Sequence, residues 1–161
     1  PVTCNGGYVM PAWYDIITLD SSTRRVDAAG IVRSRAAIRR LIERENQRGV
    51  PCERIFLAGF SQGGAVAYTT ALTHPEPLAG LIALSTYLPS ADLVAREATP
   101  ENRAIRIFAA HGTQDDVVTA DWSQRFAESR PNVELHLEDS GHELLNVVDK
   151  MFDRTRAFLL D

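Results

Sequence analysis

The sequence predicts an α/β fold in which a mostly parallel sheet is flanked by helices. Short apolar runs alternate along the chain with longer stretches of helical periodicity, and this alternation is typical of stacked strand–helix units. The length of 161 residues is suited to one domain, and no internal repeat or low-complexity stretch divides it. We therefore expect a single α/β domain over residues 1–161.

Four apolar runs are predicted to be strands. The first three are almost continuously apolar, which is typical of the strands of a parallel sheet. The last alternates between apolar and polar residues, so we expect it at a sheet edge with one face exposed. The runs cover residues 54–59, 80–85, 104–110 and 132–139.

Helical patterns fill the intervals between these runs. Apolar residues recur there at the three- and four-residue spacing of an amphipathic helix. The patterns cover residues 24–48, 62–74, 119–129 and 143–160. Residues 1–23 and 86–103 show neither period, so we expect both to be irregular, and the length of the second favours a functional loop.

Composition excludes several classes of function. A net charge of −4 and a pI near 5.6 argue against nucleic acid as a partner, because nucleic-acid-binding domains usually carry clustered basic residues. No apolar run is long enough to cross a bilayer, and no secretory leader opens the chain, so we expect a cytoplasmic protein. Its two cysteines, Cys4 and Cys52, are expected to be incidental thiols of a reducing compartment, with one disulfide between them as the alternative.

A serine motif carries the most specific chemical signal. Residues 59–63 read Gly-Phe-Ser-Gln-Gly, a G-x-S-x-G pattern between a predicted strand and a predicted helix. A serine on such a tight turn is held towards solvent, and the following helix directs its N–H groups at the same place. Ser61 is therefore the candidate nucleophile, and the N–H of Gln62 is a candidate oxyanion donor. The alternative is a glycine-rich turn that contains a bystander serine.

A serine needs a base, and four histidines are available. His74 follows a predicted helix and precedes a proline, so we expect it at the surface or in a helix cap. His136 lies within the alternating strand and is expected to face solvent. His111 and His142 directly follow predicted strands, and ligands of open α/β sheets bind at the carboxyl ends of strands. These two are therefore the candidate bases.

The third group must be an acid that orients the imidazole. Asp115 and Asp116 both lie in the loop after the third predicted strand. With His142 as the base, the chain order is serine, aspartate, histidine, which is the order found in α/β-hydrolases. Spacing alone does not separate the two aspartates, and either of them could instead cap the next helix.

The sequence contains no recognisable cofactor or metal motif. A set made of His111, Asp115 and Asp116 matches no metal-ligand spacing, so we expect no metal. Glycine-rich phosphate-binding patterns are also missing, so we expect no nucleotide cofactor.

Together, these residues resemble the phospholipase/carboxylesterase family of α/β-hydrolases, which includes acyl-protein thioesterases and small bacterial carboxylesterases. The likeness rests on motifs within residues 1–16, 59–65, 83–87, 111–118 and 141–143. It implies an α/β-hydrolase fold without cofactors, in which Ser61 is the nucleophile, Asp115 the orienting acid and His142 the base. Relatives often pair, so it also implies a homodimer.

The likeness begins in the middle of the family pattern. Pro1 aligns after the first strands and after a His-Gly loop that supplies the second oxyanion donor in relatives. We therefore expect an N-terminally truncated α/β-hydrolase domain that lacks those first strands and the oxyanion loop. Losing one oxyanion donor typically lowers kcat by about 10²–10³-fold.

The expected function is that of a serine carboxylesterase. It would hydrolyse small-molecule esters or thioesters with short- to medium-chain acyl groups through an acyl-enzyme. Tyr87, Leu88 and Trp13 are candidates for substrate binding, with core packing as the alternative for the aromatic rings. One alternative is another hydrolase on this fold, such as a peptidase or a lipase. A second alternative is a hydrolase remnant, inactive or weakly active, that serves as an interaction module.

Overall fold

The computed structural model describes residues 8–18 and 26–160. Within them, four strands form one sheet in the order β1-β2-β3-β4, and neighbouring strands pair in parallel. The strands are β1 (Phe56–Phe60), β2 (Gly80–Leu84), β3 (Ile107–Gly112) and β4 (Val133–Glu138). The prediction of a mostly parallel sheet is confirmed, and each strand overlaps the apolar run that predicted it.

Five α-helices accompany the described strands. They are α1 (Ala28–Gln47), α2 (Ser61–Leu72), α3 (Ala91–Glu97), α4 (Asp121–Glu128) and α5 (Val148–Leu160). The predicted start of the first helix at residue 24 lies outside the described residues. Helix α1 begins after Asp27, whose carboxylate accepts a hydrogen bond from the Gly30 N–H at 2.8 Å. No helix in the described ranges is long and apolar enough to span a membrane.

The prediction that residues 86–103 are irregular was wrong in part. This segment contains α3, which Ser90 caps by accepting a hydrogen bond from the Leu93 N–H at 3.3 Å. Leu93 and Val94 are buried and fix the helix against the rest of the protein. A helix of two turns shows too few apolar repeats to produce a clear period in the sequence. Residues 8–18, the described part of the predicted irregular N-terminal segment, contain only one isolated bridge, from Ile16 to Val26.

Helices cover both faces of the sheet. On one face, α1, α2 and α4 pack on the strands through an apolar cluster that includes Ile42, Tyr68, Leu81, Ile107 and Phe126. On the other face, α5 packs through a second cluster that includes Ile82, Phe108, Met151 and Phe158. This three-layer arrangement leaves the carboxyl ends of the strands at one common edge, where a site can form.

Strand β4 lies at an edge of the described sheet, as its alternating sequence predicted. Its polar face is solvated only in part: Glu134 is exposed, whereas α5 covers Glu138 and contacts His136. The ring of His136 packs on Phe108 with centroids 5.0 Å apart. The Glu138 carboxylate is only 4% exposed, and it pairs with Lys150 at 2.7 Å and with Arg154.

Glu138 should make stability depend on pH. The hydrogen bond from Lys150, aided by Arg154, holds the pKa of Glu138 below its ordinary value, although burial opposes that shift. A lowered pKa in the folded state stabilises the protein above the unfolded pKa, about 4.3, and this contribution disappears as the pH falls through the folded value. Glu138→Gln should therefore lower the free energy of unfolding at pH 7 by about 1–3 kcal/mol.

Urea unfolding at pH 7 and at pH 3 tests this expectation. The loss should shrink at pH 3, because the carboxylate is already largely protonated in the unfolded chain there and the lowered folded pKa contributes less stability. Glu128→Gln is the control, because Glu128 is an exposed glutamate at the end of α4. An equal loss for Glu138→Gln at both pH values would contradict the assigned ion pairs.

Candidate active site

Ser61 occupies a strained turn between β1 and α2. Its backbone φ is 50°, in the left-handed region that residues other than glycine rarely adopt. Such a conformation costs on the order of 1–3 kcal/mol and persists only where the surrounding structure holds it. The strain places Ser61 at the carboxyl end of β1 and at the first position of α2, as the G-x-S-x-G pattern predicted.

Gly59 permits the close approach that this turn needs. A Cβ at Gly59 would lie 2.5 Å from the carbonyl carbon and oxygen of Gly63, a separation that real side chains do not tolerate. Gly64 is similarly constrained, because a Cβ there would meet the Thr86 side chain at 2.6 Å. Thr86 in turn donates a hydrogen bond to the Ser61 carbonyl oxygen at 2.6 Å. The glycines thus let strand and helix pack directly behind the serine.

A continuous chain of hydrogen bonds joins the serine to an aspartate. The Ser61 Oγ lies 3.0 Å from Nε2 of His142, and Nδ1 of the same ring lies 2.7 Å from Oδ2 of Asp115. A carboxylate only accepts hydrogen bonds, so it keeps the proton on Nδ1 and leaves Nε2 free to accept the proton of the serine hydroxyl. This arrangement can activate the serine as a nucleophile.

The two candidate aspartates differ in burial and in hydrogen bonding. Asp115 is buried, and its Oδ1 accepts hydrogen bonds from the N–H groups of Val117 and Val118 at 2.9 and 2.8 Å. Asp116 is exposed. The loop therefore fixes the Asp115 carboxylate in one orientation towards His142.

His111 lies behind Asp115. Its Nε2 is 2.6 Å from the Val118 carbonyl oxygen and 3.1 Å from Oδ2 of Asp115, and its Nδ1 is 2.7 Å from Oγ of Ser123. A carbonyl can only accept, so Nε2 carries the ring proton and Nδ1 accepts the serine hydroxyl. Burial lowers the pKa of His111, which favours the neutral ring. His111 was one of the two candidate bases, but the structure places it against the far side of the acid from Ser61.

Phe60 contacts the His142 ring, a feature that the sequence analysis did not anticipate. The two ring centroids are 4.9 Å apart, and Phe60 remains partly exposed. This packing limits the orientations of the imidazole. The available signal was the bulky residue that directly precedes the serine in the motif.

Gln62 contributes both its backbone N–H and its side-chain amide to the site. Its backbone N–H lies in the first turn of α2, where N–H groups have no acceptor within the helix and can bind an anion. Its side chain holds the preceding segment in place: Nε2 donates to the Tyr14 carbonyl at 2.8 Å, and Oε1 accepts from the Trp13 N–H at 2.9 Å.

The three predicted substrate-binding residues lie in different surroundings. Tyr87 is buried, and its hydroxyl is 2.7 Å from that of Tyr14. Leu88 lines an apolar groove of about 360 Å³ between α3 and α4. Trp13 is 45% exposed, and its indole nitrogen would be 3.4 Å from a Cβ at Gly63. Of the three, Trp13 is the one whose exposed ring lies beside the turn that carries Ser61.

Comparisons with known proteins point to one family. The family model described as Phospholipase/Carboxylesterase matches residues 1–152. Acyl-protein thioesterase 1 of Mycosarcoma maydis is 42% identical over 151 residues, which cover 89% of this chain. The chain spans 62% of the length of that relative.

Solved structures of this fold superimpose on the chain. Arabidopsis thaliana SOBER1 matches with a TM-score of 0.89 at 26% identity, over 99% of this chain and 77% of that one. Zea mays acyl-protein thioesterase 2 matches with a TM-score of 0.78 at 28% identity, also over 99% and 77% of the two chains. The expected α/β-hydrolase fold is confirmed.

Proposed function

The chain belongs to the phospholipase/carboxylesterase family, and on that premise we propose that it is a serine hydrolase that cleaves short- to medium-chain acyl esters or thioesters. The observation that carries this proposal is the hydrogen-bonded chain from Ser61 through His142 to Asp115. Relatives that are named acyl-protein thioesterases support a thioester among the substrates.

The first half of the reaction forms an acyl-enzyme. Ser61 Oγ attacks the carbonyl carbon of the substrate, while Nε2 of His142 takes the hydroxyl proton. The electron pair of the C=O bond moves onto the oxygen, and Asp115 stabilises the imidazolium that results. His142 then gives its proton to the leaving alkoxide or thiolate, which departs as an alcohol or a thiol.

The second half of the reaction releases the acid. A water molecule attacks the acyl-serine ester, and Nε2 of His142 accepts its proton. Collapse of the tetrahedral species returns that proton to Ser61 Oγ and frees a carboxylic acid. In both halves the Gln62 N–H, at the amino end of α2, stabilises the negative oxygen.

Trp13 is the residue best placed to contact the acyl group. Its exposed indole lies beside Gly63, and the Gln62 side chain fixes its backbone. An exposed aromatic ring next to the attacking serine offers an apolar surface to a short acyl chain.

Labelling with a fluorophosphonate probe, together with turnover of p-nitrophenyl esters, tests the proposed function. The folded chain should label with one probe per molecule. It should also hydrolyse p-nitrophenyl butyrate and an S-butyryl thioester faster than p-nitrophenyl palmitate or a peptide amide. A chain that is folded by circular dichroism but neither labels nor turns over these substrates would contradict the proposal and favour the interaction module.

A further inference from the structure

Three side chains with metal-binding atoms meet at the end of the sheet opposite Ser61. Cys52, His74 and Glu76 bring a thiol sulfur, an imidazole nitrogen and a carboxylate oxygen within 4.8 Å of one another. Cys52 and His74 are 2% and 5% exposed, whereas Glu76 is exposed. Cys52 directly precedes β1 and His74 follows α2, so the cluster lies at the amino end of β1.

The spacing of the two buried atoms matches one zinc ion. The Cys52 sulfur is 3.6 Å from Nε2 of His74. Zinc binds cysteine sulfur at about 2.3 Å and histidine nitrogen at about 2.0–2.1 Å, so tetrahedral geometry puts these two ligand atoms about 3.5–3.6 Å apart. The two side chains therefore need almost no rearrangement to share an ion.

Hydrogen bonding alone leaves the ring of His74 poorly satisfied. Among the residues that the structure describes, Nδ1 of His74 is buried without a hydrogen-bond partner, and the sulfur of Cys52 is the polar neighbour of Nε2. A thiol is a weak donor and a weak acceptor, so this contact replaces only in part the hydrogen bonds that the ring would make to water. A metal ion at Nε2 would supply a much stronger interaction at a buried site.

The carboxylate of Glu76 places negative charge beside the thiol and the imidazole. A divalent cation between these groups would stabilise the thiolate form of Cys52, which is the form that ligates metal.

We propose that Cys52, His74 and Glu76 bind a zinc ion that joins the start of β1 to the end of α2. A thiolate, an imidazole and a carboxylate form a ligand set typical of zinc, and the exposed side of Glu76 leaves the fourth position to water. Asn46 supports the sulfur through Nδ2, which lies 3.2 Å from it. Because β1 separates the cluster from Ser61, the ion has a structural role.

This site departs from the sequence expectation of no metal. Of the two positions expected for His74, the surface position was wrong, whereas a position in the helix cap agrees with the hydrogen bond from its N–H to the Ala71 carbonyl oxygen at 3.4 Å. Cys52 and His74 are separated by β1 and α2, and their spacing matches no metal signature. His74 is buried because the Asn102 amide holds its carbonyl oxygen at 2.9 Å and its ring packs beside Cys52. The strand–helix unit brings the ligands together only once it is folded.

Titration with Co²⁺, which takes tetrahedral zinc sites and reports thiolate ligation by its absorption, tests the proposal on the full chain. One equivalent should produce a thiolate-to-cobalt charge-transfer band that Zn²⁺ then abolishes. The band should be present in Ser61→Ala, which separates this site from the proposed hydrolase activity. It should be lost in Cys52→Ser and kept in Cys4→Ser, the matched control for the other thiol.

Glu76→Gln provides the second measurement. This exposed substitution leaves the core intact, and it should weaken Co²⁺ binding by about tenfold or more, the order of effect seen when the surroundings of a metal are altered. Should Cys52→Ser fail to fold, this variant decides the question. No band in the wild type, a band that survives Cys52→Ser, or unchanged affinity in Glu76→Gln would each overturn the site.

Discussion

Replacing Ser61 with alanine is expected to lower kcat/KM for p-nitrophenyl butyrate by about 10⁴-fold or more. Among the described hydrogen bonds, Nε2 of His142 has one partner, the Ser61 hydroxyl. Removing this hydroxyl therefore leaves no positioned nucleophile. The Gln62 N–H and the substrate-binding surface would remain, so a small residual rate above the uncatalysed reaction is expected. Steady-state kinetics and fluorophosphonate labelling measure the loss.

Ser129→Ala is the matched control for this variant. Ser129 is an exposed serine at the end of α4, and its hydroxyl donates to the Phe126 carbonyl oxygen. It should keep both turnover and labelling. Retention of more than about a tenth of the wild-type activity in a folded Ser61→Ala protein would show that another group attacks the substrate, because loss of a true nucleophile costs orders of magnitude.

Much of the fold could be predicted because its strands carry strong local signals. The alternating pattern of residues 132–139 predicted the edge position of β4. The continuous apolar patterns predicted β2 and β3, which are the buried strands. Helix α3 could not be predicted, because its two buried residues, Leu93 and Val94, form too short a pattern. The burial of Glu138 on the polar face of β4 was also missed, since Glu138 is buried only through partners on α5.

The site shows the same division between local and long-range information. The turn at Ser61 and the location of His142 after a strand could be predicted, because each depends on a few neighbouring residues. The choice between Asp115 and Asp116 could not be made from spacing, since it depends on which carboxylate the loop buries against His142. The positions of His111 behind Asp115 and of Phe60 against His142 depend on packing between separate elements.

The two neighbouring aspartates allow the second large prediction. Asp115→Asn should lower kcat by about 10⁴-fold, whereas Asp116→Asn should change it by less than about twofold, because only the buried acid orients the histidine. An amide NH₂ facing Nδ1 of His142 favours the tautomer with its proton on Nε2, which cannot accept the proton of Ser61. The exposed side chain of Asp116 makes no such contact with the ring.

Folding and catalysis can be separated in this pair of variants. The Oδ1 of an asparagine at position 115 can still accept the hydrogen bonds that Val117 and Val118 donate to the aspartate, so the loop should keep its conformation. The new amide NH₂ also faces the Nε2–H of His111, which lies 3.1 Å from Oδ2 in the native protein, so Asp115→Asn should lower the thermal midpoint more than Asp116→Asn. Circular dichroism should nevertheless show both variants folded at the assay temperature while their kcat values differ by orders of magnitude. If Asp116→Asn lost as much activity as Asp115→Asn, the total negative charge of the loop would be what supports catalysis. That result would contradict the assignment of Asp115 as the one carboxylate that orients His142.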